Sequence, residues 1–187
     1  MRSFLLVLTG ILCLICSSGL AQNNSLATVG SVLYLAKDKT ILESAGESNN
    51  YTTIIAAIKA TDMEDLFGQQ GPFTFFAPSD KAFSVLSKSE LEHLFKPVNR
   101  KKLKSLLTYH VVAGDISASK ILRALCRGAG KTSFTTLQGN KIKLTMMGSD
   151  IIITDGLGNS AKIVEADMNQ SNGVIHQIDH VIRPRGL

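Results

Sequence analysis

Four histidines, a lone cysteine beyond the leader and one Ser-x-x-Lys tetrad are the residues whose types invite chemistry. His176 and His180 stand four positions apart in a run that reads as a strand. At strand rise that spacing separates them by about 13 Å, too far to share one metal ion. The tetrad Ser117-Ala118-Ser119-Lys120 spells the S-x-x-K of penicillin-recognising serine enzymes, but the companion S-D-N and K-T-G motifs are missing from the sequence. So are H-E-x-x-H, G-x-S-x-G, a glycine-rich phosphate loop and a paired-cysteine zinc pattern. Cys126 lies between Arg123 and Arg127, neighbours that favour a reactive thiolate. The plainer reading is a small, partly buried side chain. As a single thiol it forms no internal disulfide, so the fold must hold without that cross-link. These residues point to no catalytic group, no cofactor and no metal, and the expectation is a binding module.

The elements that must position them are organised around residues 71–83, G-P-F-T-F-F-A-P-S-D-K-A-F. Phe73 and Phe75 share one face of an extended run, and Thr74 and Phe76 share the other, so both faces need cover. Pro78 ends the strand, and Ser79 or Asp80 is placed to cap a helix that begins to bury Ala82 and Phe83. Before this segment, Ile54, Ile55, Ile58, Met63, Leu66 and Phe67 keep helical spacing, broken near Thr61-Asp62. After it, Ser89 with Glu92 fits a capping box for a helix through Leu91, Leu94 and Phe95. Asn99 opens the next helix, where Leu103, Leu106, Leu107 and His110 share a face. Arg100, Lys101, Lys102 and Lys104 crowd its first turn, which reads as a solvated face. A short helix follows Ser117 or Ser119. From residue 134 the period changes to two: strands are expected at 134–137, from Ile142, at 151–154, 161–166 and 173–182. Helices first and strands later, with one early strand, give an α+β domain.

The start of the chain has the three parts of a secretory signal. Met1 and Arg2 precede a nearly unbroken apolar run at residues 4–16, and small residues lead to Ala21. The expected organisation is a signal peptide at 1–21, an arm or linker at 22–48, one domain at 49–184 and a tail at 185–187. Within the arm, residues 32–35 read as a short extended piece packing on the domain. The 20 Lys and Arg against 15 Asp and Glu give a mild, dispersed positive charge. Export removes access to intracellular nucleic acid, and no other run is long enough to span a bilayer after the signal is removed. The sequons at Asn23, Asn50 and Asn169 matter only in a host that glycosylates secreted proteins.

Three segments together resemble the fasciclin domain. Residues 73–83 are similar to its first signature, L-L-T-Y-H-V-V-A-G at 106–114 to its Tyr-His segment, and N-G-V-I-H-Q-I-D-H-V-I-R-P at 172–184 to its second. T-L-Q-G-N-K-I-K-L at 136–144 sits where the family has paired strands. The resemblance implies a wedge-shaped β-sandwich of about seven strands with helices packed against it. It also implies a secreted or surface-attached role in cell adhesion and matrix contact, without catalysis. It makes Tyr109, His110, Val111 and Val112 the interaction candidates, because that region has been tied to integrin contact in animal members. A single domain behind a signal resembles the small bacterial secreted members, which weakens the integrin inference. The family's usual Thr and Asn or Asp after the proline appear here as Ser79 and Asp80.

Phe75, Pro78, Ser79, Asp80, Phe83, Asn172, Gly173, His176 and Asp179 are read as structural motif residues. His176 is expected as a partly buried ring bonded to the backbone or a hydroxyl, Asp179 as an acceptor for loop amides, and Asn172-Gly173 as a turn. His110 invites the same reading as His176 at the end of its helix, where a cationic form would suit the dipole. The partner is expected to be a cell-surface, envelope or matrix protein or polysaccharide, met by a monomer outside the cell or in the periplasm. The alternative is a module that holds a small molecule or polysaccharide in a groove.

Overall fold

The computed structural model describes residues 39–68 and 71–186. The signal at 1–21 and the extended piece at 32–35 lie outside the described residues. The chain forms α1 (Ile41–Glu47), α2 (Thr52–Ala60) and α3 (Glu64–Gly68), then β1 (Phe73–Pro78), α4 (Asp80–Phe83), α5 (Lys88–Leu94), a 3-10 turn (Pro97–Asn99) and α6 (Arg100–Tyr109). β2 (Val111–Ala113) and α7 (Ala118–Arg127) lead into β3 (Lys131–Thr135), β4 (Lys141–Met147), β5 (Asp150–Thr154), β6 (Ser160–Gln170) and β7 (Gly173–Ile178).

The seven strands run in the order β2-β1-β7-β6-β5-β4-β3. β1 and β7 are parallel, and the other pairs are antiparallel. β6 joins the two halves of the wedge: residues 160–162 pair with β5, and residues 163–170 pair with β7 through two register shifts. Such irregularities bend a strand. A bridge between Val112 and Thr136 then brings the two ends of the strand order together, so the sheet curls nearly into a barrel. This is the expected α+β fold of seven strands and packed helices.

β1 is the wall between two cores, as its alternation requires. Phe75 faces the helices, where it packs with Ile54, Ile58, Phe67, Leu106 and Leu107. Phe76 faces the barrel side, with Ile121, Ile142, Leu144, Ile153 and Ile178. Thr74, also fully buried, satisfies its hydroxyl by donating to Gly114 O at 2.6 Å and accepting from Ile116 N at 2.8 Å.

Several expectations are corrected. The arm assigned to 22–48 contains α1, capped by a reciprocal Thr40–Glu43 box and burying Ile41 and Ala45. Packed structure therefore begins before residue 49. The cap of α5 is Ser87, whose hydroxyl accepts from Glu90 N, rather than Ser89. Asn99 precedes α6 without capping it; its side chain donates to His93 O at 2.7 Å. The last strand stops at Ile178 instead of 182, because Asp179 turns aside: its N–H donates to Lys162 O and its carboxylate accepts from Lys162 N. His180 is thereby exposed, and Ile182 re-enters the barrel core.

Candidate functional site

α6 and β2 place the Tyr-His segment where the two cores meet. The apolar stripe of α6 buries Leu103, Leu106 and Leu107 and carries Tyr109 inward with them. Tyr109 and His110 are fully buried, and Val111 and Val112 are nearly so. Tyr109 donates its hydroxyl to Lys141 O at 3.1 Å, and burial raises its pKa. Val111 pairs with Phe75 and Val112 with Thr74, while Val111 O accepts from Leu137 N at 2.7 Å. The four interaction candidates are therefore an internal seam joining α6, β1 and the β3–β4 turn. Their side chains are buried and act as a structural joint in the folded protein.

His110 stitches this seam to the C-terminal segment. Its Nδ1 lies 2.8 Å from Leu106 O, and its Nε2 accepts from Ile182 N at 3.3 Å. A carbonyl can only accept, so the ring is neutral with its proton on Nδ1. Burial pushes its pKa down to about 4, against the opposing pull of Leu106 O and Asp155. The ring is thus the buried, backbone-bonded group expected, and it is neutral although a cation would suit the helix end: loss of hydration outweighs any benefit from the dipole.

His176 does the same job with the opposite tautomer. Nε2–H donates to Ile116 O at 2.8 Å, and Nδ1 accepts from Asp167 N at 3.2 Å. Burial again lowers its pKa, and the ring lies against Phe76 with centroids 5.6 Å apart. It ties β7 to the bulged part of β6 and to the segment entering α7.

The remaining motif residues close other joints. Ser79 caps α4 through Ala82 N, while neighbouring Asp80 caps a different helix. Its carboxylate takes Thr52 N at 3.0 Å, Thr52 Oγ1 at 2.7 Å and Thr53 N at 2.7 Å, at the start of α2. Burial raises the pKa of Asp80, but these hydrogen bonds together outweigh it and hold the group below the usual carboxylate value. Pro78 is the buried last residue of β1, and Phe83 packs in the helical core. Asn172 Oδ1 accepts from Ile41 N and Nδ2 donates to Phe67 O, each at 2.8 Å, so one amide joins α1 to α3. Gly173, at φ +152°, leaves room for β1: a Cβ there would meet Phe73 O at 1.9 Å. Asp179 accepts from Lys162 N at 2.7 Å and pairs with His180 at 2.8 Å. Tyr51, a residue the motifs do not single out, donates to Gln177 Oε1 at 3.0 Å. Burial, with Glu165 nearby, raises its pKa to about 12.

Asp155 is the joint that sequence reasoning missed. Read only as a turn residue, it is buried and accepts from Leu157 N and Asn159 N through Oδ1. Its Oδ2 accepts from Arg183 N at 3.0 Å and Asn159 Nδ2 at 3.1 Å. The run Asp155-Gly156-Leu157-Gly158-Asn159 carries an Asx-turn signal, but nothing in it reveals Arg183.

These residues form braces, with ring nitrogens and carboxylates engaged inside the protein. Cys126 is exposed and unbridged. Among the described residues, no cluster of His, Cys, Asp and Glu is arranged to hold a metal ion, and no helix is long and apolar enough to cross a membrane. A cleft of about 460 Å³ opens on the surface between α5, the start of α6 and the C-terminal segment, lined in part by Glu90, His93, Lys102 and Arg183.

The family model for the fasciclin domain matches residues 49–184. The chain belongs to the fasciclin-domain family. A Synechocystis relative, protein sll1483, is 37% identical over 78% of this chain and 73% of its own length. Transforming growth factor-beta-induced protein ig-h3 from Sus scrofa is 30% identical over 78% of this chain. There the match spans only 19% of the relative, so one fasciclin domain corresponds to a fraction of a larger protein. Immunogenic protein MPB70 of Mycobacterium bovis is 29% identical over 75% of this chain and 67% of its own length. Among solved structures, a FAS1 domain pair from the insect cell adhesion molecule fasciclin I superposes with a TM-score of 0.68. It covers 78% of this chain and 51% of that one at 19% identity, a likeness of fold. The fasciclin fold thus uses its signature histidines and acids as internal braces in this chain.

Proposed function

We propose that this protein is an exported, non-catalytic adhesion module that contacts a protein or polymer of the cell surface, envelope or matrix through its outer face. One observation carries the reading: Asp80, His110, Asn172 and His176 of the family signatures bond inside the fold, which leaves recognition to the outer surface around them. Kinship with a fold used by an insect cell adhesion molecule supports the same class. A general acid, base or nucleophile needs a free, suitably placed polar group. His110 and His176 are instead saturated by backbone partners.

The test is binding of the purified mature protein to cells and to envelope or matrix polymers, at low and high salt. Saturable binding that survives high salt supports the module; binding to nothing at either salt rejects it. Tyr109→Ala is expected to lose folding, with adhesion falling only in proportion to the folded fraction. A Tyr109→Ala protein of unchanged thermal stability and lost adhesion would return the contact site to the Tyr-His segment. The groove-binding alternative has one observation in its favour, the cleft beside α5, where Glu90, Lys102 and Arg183 converge on a wall of leucines.

A further inference from the structure

The cleft beside α5 combines an apolar wall, a fixed donor–acceptor pair and an excess of positive charge. Leu94 and Leu157 line it together with Glu90, His93, Lys102 and Arg183. Leu157 stays 56% exposed on its turn, an apolar surface open to a ligand. Arg183 Nη1 lies 2.6 Å from Glu90 Oε1, which fixes a guanidinium edge next to a carboxylate. Hydroxyl groups both donate and accept, so a sugar ring can bond to both members of such a pair while its C–H face lies on leucine.

Charge at the rim is unbalanced. The first turn of α6 has no acidic residue and carries Arg100, Lys101 and Lys102, with Lys104 just beyond it. Arg100 is paired with Asp62. Lys96, Lys101, Lys102 and Lys104 form no ion pair with any described residue. Cations at this end of a helix oppose its dipole, and Asn99 gives no side-chain cap to offset them. The helix thus carries an arrangement that weakens it in isolation and that a bound polyanion would relieve. Lys101, beside Lys102 in the first turn, carries positive charge beyond the cleft on the exposed side of the helix.

We propose that this cleft and the adjoining lysines of α6 bind an anionic polysaccharide, with one acidic sugar seated between Leu157 and the Glu90–Arg183 pair. Its carboxylate meets Lys102, and a neighbouring acidic unit meets Lys101. A concave site that includes Glu90 suits a chain of rings better than a flat anionic bilayer. The proposal rests on the polymer-contact reading above and names its ligand class and its site.

The experiment titrates the protein, in the form its cell delivers, with polygalacturonate, neutral dextran of similar length and phosphatidylglycerol vesicles. The same titrations are run on Lys102→Glu, His93→Ala and Lys143→Glu, and each variant is also tested for binding to cells. Polygalacturonate is expected to bind and dextran not to. Lys102→Glu should lose at least tenfold in affinity and His93→Ala a few-fold, while Lys143→Glu, the same charge change on β4, should lose less than twofold. Lys102→Glu removes an unfavourable charge from the helix start, so its melting midpoint should hold or rise, which separates lost binding from lost folding. Equal losses in Lys102→Glu and Lys143→Glu would reduce the effect to net charge and overturn the site. Vesicle binding that shares the Lys102 dependence and exceeds polygalacturonate binding would overturn the ligand class. Undiminished cell binding with no polygalacturonate binding would overturn this proposal and leave the adhesion reading standing. Binding to neither would overturn both.

Discussion

The two cores on either side of β1 are closed in different ways. On the helical side, Phe75 meets side chains that keep helical spacing, and the polar work is done at helix ends: Asp80 caps α2, and Asn172 joins α1 to α3. On the barrel side, Phe76 meets alternating strand residues, and the polar work is done by neutral rings and a buried acid that span distant segments. The helical core depends on a charged carboxylate at its caps; the barrel core depends on keeping its two buried histidine rings neutral. One strand supports both because its adjacent residues point opposite ways.

The largest expected effect comes from truncating either wall residue. Phe75→Ala and Phe76→Ala should each cost about 3–5 kcal/mol in chemical denaturation, the usual range for a fully buried phenylalanine. Amide exchange should divide them. Phe75→Ala should loosen α2 and α6 first, and Phe76→Ala should loosen β4 and β5 first. Identical exchange maps would mean that the cores unfold as one unit and that the distinction is only geometric.

Acid should strip the barrel side first. The pKa of His110 is lower in the fold than in the unfolded chain, so the unfolded chain binds more protons as pH falls below about 6.5. The stability from keeping the ring neutral is complete above that pH and lost on the way down to about pH 4. A shift of this size corresponds to about 3 kcal/mol. His176, shifted in the same direction by burial, adds to the loss as pH falls below the ordinary imidazole value. Asp80 has the opposite chemistry but the same sign, since its lowered pKa gives stability above the ordinary carboxylate value that is lost as pH falls through its folded value. Denaturation between pH 7 and 3, with NMR of the histidine rings, should show the barrel side weakening before the helical caps. An imidazole of His110 titrating near 6.5 in the folded protein would break the comparison.

Asp80→Ala should cost about 1–2 kcal/mol, the range of a lost N-cap, with faster exchange confined to the start of α2. The smallest effect is a gain. Lys102→Glu should stabilise the fold by about 0.5 kcal/mol at low salt, shrinking as salt is added. A loss of stability there would show that Lys102 makes a favourable contact at the helix start.

Much of this was legible in the sequence. The run F-T-F-F announced a strand covered on both sides, because three phenylalanines in four positions, ended by Pro78, suit an extended segment with cover on each face. Ser79 announced a cap, and Leu103, Leu106 and Leu107 announced the buried face of α6. The bonding partners of Tyr109 and His110 were not legible. A polar residue beside two valines is read from sequence equally well as a contact or as a brace, and only the positions of Lys141 and Ile182 decide between them. The neutral state of His110 belongs to the same class, since local sequence supplies the helix end but not the depth of burial that overrides it. α1 was hidden because its two buried residues, Ile41 and Ala45, are too few to show a period and need α3 and β7 to pack against.

By itself the sequence determined the fasciclin signatures, the order of helices and strands, and the residues that must face inward, because each depends on spacing along the chain. The tertiary structure alone decided that Asp80 serves a helix 28 residues away, that Asn172 reaches Ile41 across 131, and that His110 meets Ile182 across 72. It also decided that Lys102, Leu157 and Arg183 line one cleft. Buried polar groups must find partners wherever folding brings them, and the chain between those partners carries no record of the distance it closes.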